Sequence, residues 1–93
     1  MKTLNILGQK YSLKYTDLSK EELCGKCDPD KLIIYIDKNM SPTLTQLTVV
    51  HELVHAAFFR IGVPSTNLDN NTIEIFCDVI AAVIQENFKL DLS

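Results

Sequence analysis

The chain lacks any long apolar run, carries little positive charge and contains few cysteines. Its longest hydrophobic stretches, such as Val79–Ile84, fall far short of the roughly 20 residues of a transmembrane helix, so we expect no membrane span. A formal net charge of −3 argues against nucleic acid or an anionic membrane as the main partner. Three cysteines, an odd number, in a chain without the apolar core of a secretory signal predict reduced thiols and a cytoplasmic protein.

Repeats, low-complexity tracts and linker-like segments are also lacking. We therefore expect the 93 residues to form one domain, covering residues 1–93. A domain of this size buries only about two thirds of its unfolded surface, so a bound metal would add usefully to its stability.

Three segments have the pattern of β-strands. Alternating apolar residues in Thr3–Leu7 and Lys10–Tyr15 predict an N-terminal hairpin with its turn at Gly8-Gln9. The branched and aromatic run of Lys31–Asp37 predicts the strongest strand. Between them, Asp17–Leu23 fits either a short helical turn or a loop. With the helices described next, the pattern predicts an α+β fold with a small antiparallel sheet.

Two segments have the spacing of helices. The first begins with Ser41 as N-cap and Pro42 at the first helical position, and it ends before Gly62. Because it is apolar on most sides, we expect it to be buried, between the sheet and the second helix. The second helix is predicted from about Thr72 to Phe88, and the tail Lys89–Ser93 is expected to fray.

The sequence His51-Glu52-Leu53-Val54-His55 lies in the middle of the first helix. Residues four apart on a helix are neighbours, about 5–6 Å apart, so both imidazoles can reach one metal ion. Glu52 projects beside them, where a general base for a metal-bound water belongs. The alternative is an ordinary pair of helix histidines that bind no metal.

A catalytic zinc site needs a third protein ligand, and the chain has no further histidine. Glu74 is our candidate, because an antiparallel second helix returns it towards His55. Asp78 is one turn later on the same face and can accept the other ring N–H of a ligating histidine. Three alternatives stay open at this point: Glu74 as a capping partner of Asn71, Asp78 as a solvated charge, and Cys77 as a ligand rather than a core residue.

An H-E-x-x-H motif followed at this distance by E-x-x-x-D resembles the gluzincin metallopeptidases. The resemblance implies that His51, His55 and Glu74 bind zinc, that Glu52 is the general base, and that Asp78 braces His51. Over roughly residues 3–88 the chain also resembles small phage and prophage proteins related to the ImmA/IrrE metallopeptidase family. That likeness implies a minimal zincin-like fold, in which a small sheet packs on the buried H-E-x-x-H helix and a final helix follows.

The function expected from these patterns is hydrolysis of a peptide, or of a host or phage protein, by a zinc-activated water. Glu52 would take the proton from that water and pass it to the leaving amine. An extended substrate would add as a strand to an exposed sheet edge near Ile34–Ile36. Two imidazoles and a carboxylate also suit Fe(II), Mn(II) or Ni(II).

Two other functions are compatible with the sequence. The first is a non-catalytic, zinc-stabilised module that binds a host or phage protein, in which a fourth protein ligand closes the site. The second is a thiol redox protein acting through Cys24 and Cys27, which requires a low thiol pKa. We expect instead that these two thiols lie unreactive beside a tight turn.

Larger gluzincins polarise the substrate carbonyl with a further histidine or tyrosine, and the phenols available here are Tyr11, Tyr15 and Tyr35.

Overall fold

The computed structural model describes residues 2–63 and 67–88. These residues confirm the predicted α+β class, with a four-stranded mixed sheet and two helices. Along the chain the elements are β1 (Thr3–Ile6), β2 (Gln9–Thr16), a 3₁₀ turn (Ser19–Glu21), β3 (Gly25–Asp28), β4 (Ile33–Asp37), α1 (Pro42–Arg60) and α2 (Asn70–Asn87). The expectation for the tail Lys89–Ser93 falls outside the described residues.

The N-terminal hairpin is confirmed, but its turn lies one residue earlier than the predicted Gly8-Gln9. Leu7 and Gly8 form its two-residue turn with φ values of 48° and 89°. Positive φ at both central residues is the turn geometry that matches the twist of two antiparallel strands. β1 and β2 pair antiparallel on either side of it.

The prediction of an antiparallel sheet is wrong for one pair of strands. The strand order is β1-β2-β4-β3, and β2 pairs parallel with β4. After β2 ends at Thr16, the chain forms β3 (Gly25–Asp28) at the edge of the sheet. It then forms β4, which lies between β2 and β3. The connection from β2 to β4 is long enough for parallel pairing, which requires a crossover of about a dozen residues or more. The sequence reading missed β3, because its four residues include a glycine and two charges.

The predicted substrate edge near Ile34–Ile36 is also wrong. Both isoleucines lie in β4, which is paired on both sides and therefore has no free edge. Their side chains are fully buried, as expected for a continuous apolar run inside a sheet. The edges of the sheet are β1 and β3.

Helix α1 lies between the sheet and α2, as predicted, and contacts β1, β3, β4 and α2. The Oγ atom of Ser41 accepts a hydrogen bond from the N–H of Leu44 at 3.2 Å, so the predicted N-cap is present. Gly62, with a φ of 81°, follows the last turn. The hydrophobic core lies between the sheet and α1 and consists of Ile6, Tyr11, Leu13, Ile34, Ile36, Val49 and Ala56.

Helix α2 begins two residues earlier than predicted. A carboxylate oxygen of Asp69 accepts the N–H of Thr72 at 2.7 Å and caps the helix. The capping interpretation of Glu74 with Asn71 is therefore wrong, and Glu74 is available for other contacts. Within the described residues, neither helix has the length and hydropathy needed to cross a membrane.

Candidate metal centre

The two histidines of α1 lie on successive turns and face each other. Their ring centroids are 4.9 Å apart, and the two Nε2 atoms are separated by 3.2 Å. Both side chains are more than four-fifths buried. The Nε2 atoms therefore point at one position, which is the arrangement expected for H-E-x-x-H on a helix.

The carboxylate of Glu74 reaches this position from α2. Its Oε2 atom is 3.1 Å from Nε2 of His51, and its Oε1 atom is 2.8 Å from Nε2 of His55. The ligand atoms of the three residues all lie within 4.8 Å of one another. The structure thus brings together the three ligands that the sequence predicted.

The spacing of these donors fits a small tetrahedral cation. At metal–ligand distances of about 2.0–2.2 Å, two ligands of a tetrahedral site are separated by roughly 3.3–3.5 Å. The contacts between the two histidines and Glu74 range from 2.8 to 3.2 Å. The two histidines contact different oxygens of Glu74, and one donor atom from each residue lies within 4.8 Å of the others, so the three side chains are close enough to bind one such cation after side-chain adjustments.

Asp78 approaches the other side of the His51 ring. Its Oδ1 atom lies 2.8 Å from Nδ1, so the predicted contact between Asp78 and His51 is present. Because an ionised carboxylate can only accept a hydrogen bond, Nδ1 carries a hydrogen and donates a hydrogen bond to Asp78. Neutral His51 then presents a lone pair at Nε2, the form that binds a metal.

This tautomer leaves several acceptors facing one another. With Nδ1 donating to Asp78, a neutral His51 would have no hydrogen at Nε2, which is in contact with a Glu74 carboxylate oxygen and with Nε2 of His55. Lone pairs at these distances repel one another unless a cation lies between them or a histidine is protonated. The donor set therefore fits a divalent metal chemically as well as geometrically.

Glu52 lies beside the histidines and does not join the converging donors. Its Oε2 atom is 4.0 Å from Nε2 of His51, and the residue is only 7% exposed. Burial raises the pKa of the Glu52 carboxyl to about 7, with His51 opposing this shift and Glu74 adding to it. A carboxyl with a pKa near neutrality is suited to accept and release a proton.

An open cavity of about 640 Å³ connects this site to solvent. Its floor is α1, which contributes Leu44, Leu47, Thr48 and Phe59 beside the two histidines and Glu52. These four residues were not predicted to line the site. Helical periodicity indicates their position, because positions 44, 48, 51, 55 and 59 share one face of α1.

Strand β3 forms another wall of the cavity, and it approaches α1 closely at Gly25. A Cβ atom at Gly25 would lie 2.8 Å from Cγ2 of Thr48 and 3.2 Å from Cγ of Glu52. The absent side chain therefore lets β3 pack directly over the general-base candidate. The sequence does not reveal this role, since Gly25 lies between Cys24 and Cys27 in a segment that predicts only two thiols beside a tight turn.

The cysteines do not converge with the metal ligands. Cys24 and Cys27 line the cavity, and burial raises the pKa of the Cys27 thiol to about 11, with Glu52 contributing to the rise. A protonated thiol is a poor redox nucleophile, which weighs against the redox alternative. Cys77 is fully buried against α1, and burial raises the pKa of its thiol to about 12. Cys77 is therefore a core residue, and it is not in the group of converging donors.

The residues that could polarise a substrate carbonyl are few. None of the three tyrosines is among the described residues that line the cavity. Lys26 is the basic side chain there, and its Nζ atom is held 2.9 Å from a carboxylate oxygen of Glu21.

Comparison of the chain with protein-family models, with curated proteins and with solved structures returned no match.

Proposed function

We propose that the protein is a zinc-dependent metallopeptidase. The convergence of His51, His55 and Glu74 on one position carries this proposal, since their donor atoms have the type and spacing of a three-ligand zinc site. The order of the motifs along the chain, which resembles that of gluzincins, supports the same ligand set.

Zinc bound there would supply an activated water and an electrophile for the scissile carbonyl. Glu52, beside the ligands, would accept the proton of that water and deliver it to the leaving amine. Asp78 would hold the His51 ring with Nε2 deprotonated, through the 2.8 Å contact to Nδ1.

The sheet supports an extended peptide as the substrate. β3 is an edge strand, and its residues line the cavity over Glu52 and the histidines. A peptide that added to the free edge of β3 would run along the cavity and past the site. Exposed apolar side chains of the cavity wall, Leu23, Leu44 and Phe59, would contact the side chains of that peptide.

The binding-module alternative requires a site closed by a fourth protein ligand. Among residues 2–63 and 67–88, the group of potential ligands has three members, and the site opens onto the cavity. A position left for water is typical of catalytic rather than structural zinc. This observation favours hydrolysis over a purely structural metal.

The experiment that tests the proposal is the Glu52→Gln variant, which keeps the side-chain shape but removes the proton acceptor. Zinc content, measured by elemental analysis, should stay at one per chain in both proteins. Cleavage of a peptide library, followed by mass spectrometry, should fall by about 10²–10⁴-fold.

Glu86→Gln provides the matched control, because it makes the same chemical change at an exposed position of α2. It should leave both zinc content and cleavage unchanged. A wild-type protein that holds stoichiometric zinc yet cleaves no peptide in the library would overturn the enzyme proposal in favour of the binding module.

A further inference from the structure

Helix α2 carries a continuous apolar surface that nothing in the described chain covers. It is formed by two adjacent rows of residues spaced four apart, Ile75–Val79–Val83 and Phe76–Ile80. We call these five residues the α2 stripe. Each is between 38% and 59% exposed. Contiguous exposed apolar surface of this kind marks interaction sites in soluble proteins.

The α2 stripe is separate from the metal site. At about 100° per residue, its centre lies roughly 150° around the helix from Glu74 and Asp78. A third face of α2, with Ile73, Cys77 and Ala81, is buried against α1. The stripe is therefore required neither by the core nor by the site, and a partner that covered it would leave the cavity open.

We propose that the α2 stripe is the interface of a homodimer, in which two copies of α2 pack antiparallel about a two-fold axis at Val79. The row Ile75–Val79–Val83 is self-complementary in this orientation. Ile75 and Val83 are each four residues from Val79, so Ile75 of one copy lies opposite Val83 of the other. Such an isologous arrangement is the commonest form of protein dimer. The two rows supply the i, i+4 ridges that interdigitate when helices pack.

The charges on α2 are compatible with a second copy. The helix has three acidic residues, Glu74, Asp78 and Glu86, and no basic one. Glu74 and Asp78 face the metal site, and Glu86 lies opposite Thr72 of the other copy in the antiparallel arrangement. The dimer therefore brings no like charges into contact. The stripe itself carries no charge that would select a basic or an acidic partner.

The area of the stripe is sufficient for a weak dimer. The five half-exposed side chains form a patch on the order of 500 Å² per copy, the size of the exposed apolar patches that mark interaction sites on monomers. The two copies together reach about 1,000 Å², near the lower limit for a specific interface. Interfaces of this size belong to weak or transient complexes, so we expect dissociation to be measurable in the micromolar range.

The test is a charge exchange at the two-fold axis, read out by sedimentation equilibrium over about 1–100 μM protein. Wild type should show twice the mass of one chain at the upper end. Val79→Glu and Val79→Lys should each show the mass of one chain, since each places two like charges in contact. An equimolar mixture of the two variants should return to the dimer mass, because Glu then faces Lys.

Ile61→Lys is the control, since it introduces a charge at an exposed apolar residue at the end of α1. It should dimerise like wild type. A wild type that stays monomeric up to about 100 μM would overturn the proposal. Dimers of either Val79 variant alone, or a mixture that stays monomeric, would overturn it equally. The mixture also guards against misfolding of a single variant, because only folded chains can recover the dimer.

Discussion

Nδ1 of His51 lies 2.8 Å from Oδ1 of Asp78, so a single contact between α1 and α2 sets which nitrogen of His51 faces the metal position. The carboxylate fixes both the ring orientation and the tautomer, although Asp78 itself is largely exposed. The packing of the two helices and the competence of the site are therefore connected through this pair.

Asp78→Ala should weaken zinc binding by about 10–100-fold without removing a ligand, because the His51 ring loses its orientation and preferred tautomer. Competition with a chelator of known zinc affinity would measure the change. Glu86→Ala, an exposed carboxylate further along α2, should bind zinc like wild type. Equal affinities for Asp78→Ala and wild type would mean that Asp78 is only a solvated charge.

His51→Ala, His55→Ala and Glu74→Ala should each lose stoichiometric zinc, since every one of them removes a member of the converging donor set. Elemental analysis of the purified variants is the measurement. The Glu74→Ala result is the most informative, because the motif spacing alone left the third ligand open. Full zinc occupancy in that variant would mean that another residue supplies the third ligand.

The sequence predicted which side chains would converge, because their spacing is set by local helix geometry. His51 and His55 are four residues apart on one helix, and Glu74 and Asp78 are four apart on the next. Once two helices pack antiparallel, these pairs are brought opposite each other without any detail of the sheet. The cap of α1 at Ser41 was equally local and was predicted correctly.

The sheet was predicted less well, because strand order depends on contacts between distant segments. Nothing within Ile33–Asp37 indicates that it pairs parallel with β2, and β3 is too short and too polar to show a strand pattern. The close approach at Gly25 was also beyond reach, since it depends on which residues of α1 lie opposite β3. These features belong to tertiary packing rather than to local pattern.

Gly25→Ala should lower the free energy of unfolding by about 1–3 kcal/mol, the usual cost of adding a methyl group to a filled space. The new Cβ would lie 2.8 Å from Cγ2 of Thr48. Adding Thr48→Ser removes that methyl group, so the double variant should recover part of the loss. Urea unfolding of the two single variants and the double variant would measure the coupling. If the two substitutions change the free energy of unfolding additively, the crowding at Gly25 is relieved without involving the methyl group of Thr48.

Replacement of both Cys24 and Cys27 by serine should leave zinc content unchanged, because neither thiol belongs to the converging donor set. The loss of stability should be small, on the order of 1 kcal/mol, and come mainly from the half-buried Cys27. Elemental analysis and urea unfolding are the measurements. Loss of zinc in the double variant would show that a thiol takes part in the site.

The pKa of Glu52 predicts how the stability of the metal-free protein depends on pH. Burial raises this pKa from its ordinary value of 4.5 to about 7, so the folded protein binds a proton that the unfolded chain has already released. A raised carboxyl pKa contributes stability that is complete below pH 4.5 and is lost as the pH rises through 7. The loss should amount to about 3 kcal/mol at pH 8, since each pKa unit corresponds to about 1.4 kcal/mol.

Glu52→Gln removes the ionisable group and keeps its shape, so the variant should lack this loss. Urea unfolding of both proteins from pH 4.5 to 8, with a chelator present to exclude zinc, would measure the difference between them at each pH. Relative to Glu52→Gln, wild type should become progressively less stable as the pH rises, whereas Glu86→Gln should follow wild type throughout. A difference between wild type and Glu52→Gln that does not change with pH would mean that Glu52 ionises normally. It would then have no special capacity to exchange protons near neutrality.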